Sequence, residues 1–212
     1  MFFYFSSVKA VADTVDSILT EEVKPNPCTP YGKSKQEAEE QILKQPLPAN
    51  KKVYIIRPCM IHGPGNKGNL NLLYKIVKMG IPWPLAAFEN DRSFLSIDNL
   101  NFLIKQMLTN ENLASGIYNF ADDQAISTNE LIKTINTAVG KKSKLWYIPK
   151  SIIEIVARLG DKLHLPLNSE RLKKLTESYV VSNQKIKTEL KIKSLPFTVR
   201  EGLTKTIQSF NI

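Results

Sequence analysis

The chain has 212 residues, of which 42% are hydrophobic and 23% charged, and this is enough for one large or two small soluble domains. No apolar stretch approaches the length of a membrane span, so we expect no membrane partner. Its net charge is +9, but the lysines are scattered along the chain, which argues against a nucleic-acid partner. The only cysteines, Cys28 and Cys59, have no metal or redox spacing, which argues against a metal site and indicates a reducing, cytoplasmic compartment.

The first predicted elements form a strand–helix–strand unit. The segment FFYFSSV, which begins at Phe2, is rich in aromatic residues and apolar on both faces, and it predicts a buried strand. A helix is predicted from Tyr31 to Lys44, and KKVYIIRP, residues 51 to 58, predicts a second strand closed by Pro58. This order is typical of a parallel sheet covered by helices.

The rest of the chain alternates short strands with helices. Asp98 is expected to cap one helix, and His62 is expected to be a turn residue rather than a ligand. Capping boxes at 127–130 and 198–201 each predict the start of a helix. The other predicted elements are a glycine-rich loop over 61–71, a helix over 69–79, strands over 94–97 and 117–121, and two or three short helices between 150 and 190.

The first predicted helix carries residues suited to proton transfer. Tyr31 and Lys35 are four residues apart and therefore share a face, and Ala38 and Ile42 continue that face towards the protein. A neighbouring ammonium and the positive helix N-terminus both lower the pKa of a phenol. Tyr31 could then exchange a proton with a substrate hydroxyl or carbonyl. Alternatively, Tyr31 is an amphipathic boundary residue and Lys35 a surface lysine.

Two serines end the predicted first strand. Ser6 and Ser7 fall at its carboxyl end, which is where ligands bind in parallel α/β sheets. A serine hydroxyl at this position can hold the same substrate oxygen that a nearby tyrosine protonates.

The segments FYFSSV, TPYGKSKQEAE and YIIRPCMIHGPG, in this order, resemble the extended short-chain dehydrogenase/reductase family, in its nucleotide-sugar epimerase/dehydratase branch. The resemblance implies that Tyr31 is the catalytic acid/base and that Lys35 lowers its pKa. It also implies that Ser7, with Ser6 as the alternate, holds the reacting oxygen. Tyr31 and Lys35 would contact the nicotinamide ribose of the cofactor, which would be NAD or NADP.

The resemblance extends to cofactor and substrate contacts further along the chain. The backbone of Pro58, Cys59 and Met60 corresponds to the segment that packs beside the nicotinamide in this family. In the loop IHGPGNKGN, Asn69 matches a position that often contacts the substrate diphosphate. In RSFLSIDNL, Arg92 matches the arginine that binds the nucleotide diphosphate, and an arginine fork suits a phosphate.

The resemblance implies an α/β fold: the C-terminal part of a Rossmann-like doubly wound parallel sheet, plus a smaller mixed α/β substrate-binding region. Residues 1–58 would be a remnant of the NAD-binding domain, and 59–212 mostly substrate-binding, with about 98–121 returning to the Rossmann sheet. The chain contains no G-x-x-G-x-x-G turn. We therefore expect a C-terminal portion that binds the dinucleotide weakly or not at all, with FFYFSS as an exposed apolar sheet edge.

The implied function is that of an NAD(P)-dependent nucleotide-sugar epimerase, which transfers a hydride at a sugar carbon and has a nucleotide-diphosphate sugar as its partner. A dehydratase is less favoured, because Val8 and Lys9 follow Ser7 where that branch has an Asp-Glu pair. One alternative is a reductase or dehydrogenase of a non-phosphorylated ketone or alcohol. Another is a truncated, non-catalytic sugar-nucleotide-binding protein. A homodimer through residues 38–43 is also implied.

Overall fold

The computed structural model describes residues 1–48, 50–66, 69–163 and 167–211. Within these ranges the strands are β1 (Phe2–Phe5), β2 (Val53–Pro58), β3 (Met60–His62), β4 (Phe94–Ser96) and β5 (Gly116–Phe120). The helices are α1 (Pro30–Lys44), α2 (Asn69–Lys78), α3 (Ile97–Thr109), α4 (Thr128–Ala138), α5 (Lys150–Leu163), α6 (Ser169–Thr176), α7 (Gln184–Glu189) and α8 (Val199–Gln208), with short 3₁₀ turns at Val8–Ala10 and Ser209–Asn211.

The main sheet is parallel and has the strand order β1-β2-β5. Phe5 pairs with Ile56 in β2, and Arg57 pairs with Asn119 in β5. Helix α1 connects β1 to β2, so the predicted strand–helix–strand unit and the predicted α/β class are confirmed. The β-branched and aromatic residues of β2 are buried along its whole length, as expected for the central strand of a covered parallel sheet.

The apolar pattern of the first strand predicted burial, which was wrong, whereas the exposed apolar sheet edge expected for FFYFSS is confirmed among the described strands. Phe2 is 51% exposed and Phe5 46% exposed, and no residue of β1 is fully buried. Among the described strands, β1 pairs only with β2, so it forms an edge of the sheet. An edge strand has neighbours on one side only, which leaves its large apolar side chains partly in water.

Two local predictions around the second, two-stranded sheet were also wrong. His62 lies on β3 and is buried, with its ring edge-on to Phe94 of β4, so it is not a turn residue. Helix α3 is capped by Ser96 rather than by Asp98, because the Ser96 Oγ accepts a hydrogen bond from Asn99 N at 3.2 Å. Asp98 lies instead in the first turn of the helix.

Both predicted helix starts are confirmed, with an N-cap at Ser127 and a complete capping box at 198–201. Ser127 accepts a hydrogen bond from the backbone N of Glu130 at the start of α4. Before α8, Glu201 accepts from Thr198 N at 2.8 Å, and its own N donates to Thr198 Oγ1 at 3.3 Å. This reciprocal arrangement satisfies two backbone donors that the helix cannot pair internally.

The chain divides into two compact units. Unit 1 contains residues 1–62, 93–125 and 179–202, and holds β1 to β5 together with α1, α3 and α7. Its core is formed by fully buried side chains from the sheet and from α3, among them Tyr54, Ile56, Leu95, Leu103, Met107, Tyr118 and Phe120.

Unit 2 contains residues 63–92, 126–178 and 203–212, and is built mainly from α2, α4, α5 and α6. Isolated β-bridges join its loops, pairing Trp83 with Leu145 and Leu85 with Tyr147. Across the described ranges of the chain, no helix combines the length and apolar character needed to cross a membrane.

Candidate active site

The start of α1 is fixed by a cap and by an aspartate from the preceding loop. Thr29 Oγ1 accepts a hydrogen bond from Gly32 N at 3.2 Å, and Pro30 occupies the first turn, where its missing N–H costs nothing. The carboxylate of Asp13 accepts bonds from Cys28 N at 2.6 Å, from Thr29 N at 3.0 Å and from Thr29 Oγ1 at 2.8 Å. These bonds fix the N-terminus of α1, and Tyr31 lies in its first turn.

Replacing Thr29 with alanine is expected to lower the free energy of unfolding by about 1 kcal/mol, the usual cost of losing an N-cap. The variant loses both the bond to Gly32 and the bond to Asp13. Ser34→Ala is the matched control, because its hydroxyl only donates to the Tyr31 carbonyl within the helix. Urea unfolding of both variants measures the difference, and equal stabilities would contradict the capping role.

The structure brings Tyr31, Lys35 and the end of β1 together. Lys35 Nζ lies 6.0 Å from the centroid of the Tyr31 ring and 5.2 Å from that of Tyr4. The same Nζ donates a hydrogen bond to the carbonyl oxygen of Phe5 at 3.0 Å. The Tyr31 side chain is 54% exposed, so a molecule from solution can reach its hydroxyl.

The buried face of α1 differs from the predicted stripe. Ala38 and Ile42 are only half-buried, whereas Gly32 and Glu39 are the buried residues of this helix. Gly32 is needed for close packing, because a Cβ atom there would lie 2.4 Å from the carbonyl oxygen of Lys9. The Tyr31 end of the helix thus rests directly on the 3₁₀ turn that follows the two serines.

Ser6 and Ser7 occupy different environments. Ser7 caps the 3₁₀ turn, and its Oγ accepts a hydrogen bond from Lys9 N at 3.2 Å. Ser6 is buried, its backbone N donates to Ile56 O, and its Oγ has no hydrogen-bond partner within the described residues. Their role in holding a substrate oxygen remains a prediction for both.

Sequence reasoning missed a buried ion pair behind the site. Arg57 Nε and Nη2 donate to the carboxylate of Glu39 at 2.9 and 2.5 Å, and both side chains are only 3% exposed. The signal was present in the sequence: an arginine inside an apolar strand needs a buried partner, and Glu39 lies one turn beyond Lys35 on α1.

A row of polar side chains crosses the carboxyl end of the sheet. Arg57 pairs with Asn119 in register, and Ser6 follows Phe5, the partner of Ile56, so Ser6 lies beside Arg57. Ser6 Oγ, Arg57 Nη1 and both amide atoms of Asn119 are buried without a hydrogen-bond partner in the described part of the chain. Buried polar groups normally find a partner, so this end of the sheet is suited to water or a bound polar group.

The segment predicted to pack beside a cofactor lies at the same end of the sheet. Cys59 N donates to Phe120 O at 3.0 Å, and the Cys59 side chain is buried, whereas Met60 is partly exposed. Burial, and then the charge of Asp122, raise the pKa of the Cys59 thiol well above its ordinary value. Cys59 therefore stays protonated and is not a nucleophile. Pro58 is buried at the end of β2.

The two predicted substrate contacts lie in unit 2. Asn69 is the first residue of α2, and its side chain lies outside the described part of the structure. Arg92 Nη1 donates to the carbonyl oxygen of Lys174 at 2.8 Å. Burial lowers the pKa of the Arg92 guanidinium, and the charge of Glu177 opposes that shift. Its role in binding substrate remains a prediction.

No group of three or more histidine, cysteine, aspartate or glutamate side chains that could hold a metal ion occurs among the residues that the structure describes.

Comparisons with known proteins connect this arrangement to a family. Residues 1–149 match the model of the 3-beta hydroxysteroid dehydrogenase/isomerase family. The chain is 32% identical over 183 residues to UDP-glucose 4-epimerase of Vibrio cholerae, which covers 85% of this chain and 53% of that protein. It is 27% identical over 192 residues to N-acetyl-alpha-D-glucosaminyl-diphospho-ditrans,octacis-undecaprenol 4-epimerase of Escherichia coli O157:H7, covering 86% and 57%.

The chain therefore spans about half the length of the curated relatives it matches. Among solved structures, the Bordetella bronchiseptica enzyme WbmG in complex with NAD and UDP matches with a TM-score of 0.71 and 17% identity, over 99% of this chain and 59% of that one. At this identity the likeness shows a shared Rossmann-like fold.

Proposed function

Because this chain belongs to the 3-beta hydroxysteroid dehydrogenase/isomerase family, in the nucleotide-sugar epimerase/dehydratase branch of the extended short-chain dehydrogenases/reductases, we propose that it carries the proton-transfer and substrate-binding part of a nucleotide-sugar epimerase-like oxidoreductase. The observation that carries the proposal is the position of Lys35, 6.0 Å from the Tyr31 ring and bonded to the end of β1. The substrate class is a nucleotide-diphosphate sugar, as the names of the 4-epimerase relatives suggest.

In the proposed reaction, Tyr31 takes the proton of a sugar hydroxyl and later returns it to the carbonyl oxygen. A nicotinamide dinucleotide held by Tyr31, Lys35 and the backbone at Pro58, Cys59 and Met60 would supply reversible hydride transfer at the carbon that bears this hydroxyl. Lys35 places a positive charge 6.0 Å from the Tyr31 ring centroid. Ser7, with Ser6 as the alternate, holds the reacting oxygen while the carbon is oxidised. Inversion of that centre would require the hydride to return to the opposite face of the sugar.

Tyr31, Lys35 and the backbone at Pro58, Cys59 and Met60 would hold the cofactor. The partnerless polar atoms at the carboxyl end of the sheet fit a polar ligand there. This fold gains most of its dinucleotide affinity from a G-x-x-G-x-x-G turn that presents backbone N–H groups to the pyrophosphate, and that motif does not occur in the sequence. We therefore expect these residues alone to bind NAD or NADP weakly, through contacts that orient rather than anchor.

We further propose that residues 1–58 supply the cofactor and proton-transfer side, and that most of 59–212, apart from about 98–121, supplies substrate recognition. A homodimer with an interface near residues 38–43 of α1 is part of the same proposal. Leu43 in this range is exposed, which is consistent with such a contact.

The experiment that tests the proposed function supplies UDP-glucose or UDP-galactose with NAD in large excess. Sugar products are separated by chromatography, and reduced cofactor is followed by its absorbance. Interconversion of the two sugars that depends on NAD supports an epimerase. Oxidised sugar that accumulates with reduced cofactor would indicate a dehydrogenase instead. UDP binding without turnover at any NAD concentration would favour the non-catalytic binding protein.

The family match itself favours a second candidate, an oxidoreductase of a non-phosphorylated ketone or alcohol. The matching family is named for hydroxysteroid dehydrogenases, whose name indicates such a substrate. This candidate requires no diphosphate contact. Calorimetric titration with UDP separates the two, because a nucleotide-sugar site should bind the nucleotide and a steroid-like site should not.

Replacing Arg92 with alanine is expected to raise KM for a nucleotide sugar, or to weaken UDP binding, by about tenfold while kcat falls less. A diphosphate contact is shared by the ground state and the transition state, so its loss acts mainly on binding. Lys174→Ala is the control, because it removes one positive charge nearby but keeps the backbone carbonyl that Arg92 contacts. Unchanged binding in Arg92→Ala would argue for a substrate without phosphate.

A further inference from the structure

Helix α5 in unit 2 buries only a narrow face. Of its 14 residues, all of which the structure describes, Ile153, Ala157 and Gly160 are buried. Gly160 lies against the 167–168 backbone, where a Cβ atom would come within 1.8 Å of the Leu167 carbonyl oxygen. The helix is therefore fixed to its unit by small residues and one isoleucine, and its remaining surface lies in solvent.

A second face of α5 is apolar and exposed. Its five side chains are spaced i, i+3, i+4, i+7 and i+11, which places them on one stripe of the helix. Their exposed fractions lie between 41% and 65%, for Ile152, Ile155, Val156, Leu159 and Leu163. An unbroken row of large apolar side chains in water is unfavourable, and such patches mark interaction sites.

Two exposed aromatic residues precede this helix. Trp146 is 56% exposed and Tyr147 is 67% exposed, four and three residues before α5 begins at Lys150. Their backbone is held in place, because Trp146 N donates to Trp83 O at 2.9 Å and Ala86 N donates to Trp146 O at 3.3 Å. Tryptophan and tyrosine favour the boundary between lipid and water, where the ring is partly buried and the polar atom stays hydrated.

The charges around the stripe are mainly positive. Residues 141–163 contain six basic and two acidic residues, a net charge of +4 in 23 residues. Arg158 and Lys162 follow Ile155 at i+3 and i+7, so they border the stripe. Asp161, by contrast, lies on the other side of the helix and accepts hydrogen bonds from Ser169. An apolar face bordered by cations is complementary to an anionic lipid surface.

We propose that Trp146, Tyr147 and the exposed apolar stripe of α5, together called the α5 docking surface, bind the surface of a bilayer that contains anionic phospholipid. The helix lies in the plane of the headgroups with its stripe towards the acyl chains. This mode of binding needs no membrane-spanning helix, and it is an alternative to the expectation from the sequence that no membrane partner exists. It does not depend on the proposed reaction.

The test is flotation of the 212-residue chain with vesicles of equal parts phosphatidylglycerol and phosphatidylcholine. We expect the chain to float with these vesicles and to float several-fold less with phosphatidylcholine alone. Raising the salt concentration to 1 M should weaken binding, because charges are then screened over about 3 Å rather than about 10 Å.

The variant Ile155→Ser/Leu159→Ser is expected to partition onto these vesicles at least about tenfold more weakly, since interfacial binding scales with buried apolar area. Both side chains are exposed, so the fold should survive, and circular dichroism checks this. The matched control is Leu72→Ser, which removes a similarly exposed apolar side chain from α2 of the same unit. It should bind as the unmodified chain does.

Tryptophan fluorescence reports on the docking surface directly. The chain has two tryptophans, and Trp83 is already buried, so a blue shift on adding anionic vesicles should come from Trp146. Trp146→Phe should abolish the shift.

Three results would overturn the proposal: no binding to either vesicle, equal binding of the double serine variant, or a fluorescence shift that persists in Trp146→Phe. A dimer in sedimentation that the double variant dissociates, without vesicle binding, would also overturn it and assign the stripe to a second copy of the chain.

Discussion

Replacing Tyr31 with phenylalanine is expected to reduce turnover of a nucleotide sugar by about 10²- to 10⁴-fold, the usual contribution of a positioned general acid/base. The substitution removes only the phenolic hydroxyl. Because Tyr31 is about half exposed and is not part of the buried core, the free energy of unfolding should change by less than about 0.5 kcal/mol. Turnover with excess NAD and thermal unfolding together measure this separation.

Tyr4→Phe is the matched control for this prediction. Tyr4 also places a phenol beside Lys35, with its ring centroid 5.2 Å from Nζ, but it lies on β1 and has no proposed part in proton transfer. It should retain turnover close to that of the unmodified protein. Equal losses in both variants would mean that the ring environment of Lys35, and not a proton on Tyr31, governs the rate.

Replacing Glu39 with alanine is expected to lower the free energy of unfolding by about 3–5 kcal/mol, the usual cost of leaving one member of a buried ion pair uncompensated. Arg57 would keep its charge at a position that is 3% exposed and would lose the hydrogen bonds from Nε and Nη2. A loss of this size is a large fraction of the free energy of unfolding of a typical domain, so partial unfolding at ambient temperature is expected.

Urea unfolding tests this prediction against two further variants. Glu40→Ala removes the neighbouring carboxylate, which is exposed and bonded only to Gln36, and should change stability by less than about 0.5 kcal/mol. Glu39→Leu with Arg57→Met removes both charges and should recover most of the loss, because no unpaired charge remains. A loss below about 1 kcal/mol in Glu39→Ala would show that water reaches Arg57.

Local patterns predicted most of the secondary structure. The helix predicted from Tyr31 to Lys44 and the strand predicted over 51–58 are found as α1 and β2, because their signals are local. The strand, for example, is marked by a short apolar run rich in β-branched residues and closed by Pro58. The helix starts at Ser127 and Thr198 are confirmed for the same reason, since each capping bond joins groups only three residues apart.

Features that depend on contacts distant in sequence could not be predicted this way. His62 lies in a glycine-rich stretch, and only its pairing with Ser96 across the second sheet makes it a strand residue. The Glu39–Arg57 pair joins a helix to a strand, and the burial of each side chain depends on the other. The same limit applies to α5, which the sequence predicted only as one of two or three short helices between 150 and 190, without indicating which of its apolar residues are exposed.

The carboxylate of Asp13 gives the site a sensitivity to acid that does not involve the reacting groups. Partial burial raises the pKa of Asp13, but hydrogen bonds from Cys28 and Thr29 lower it more, so the net direction is below the ordinary value of 3.8. The stabilisation is thus present above that value and is lost as pH falls through the lower pKa of the folded state. Protonation of Asp13 would weaken its hydrogen bonds to Cys28 and Thr29, which hold the loop to the start of the helix that carries Tyr31. A fall in rate at acidic pH would then reflect loss of this anchoring of α1 rather than protonation of the reacting groups. Asp13→Asn, which mimics the protonated form at neutral pH, would reproduce the fall in rate without any acid.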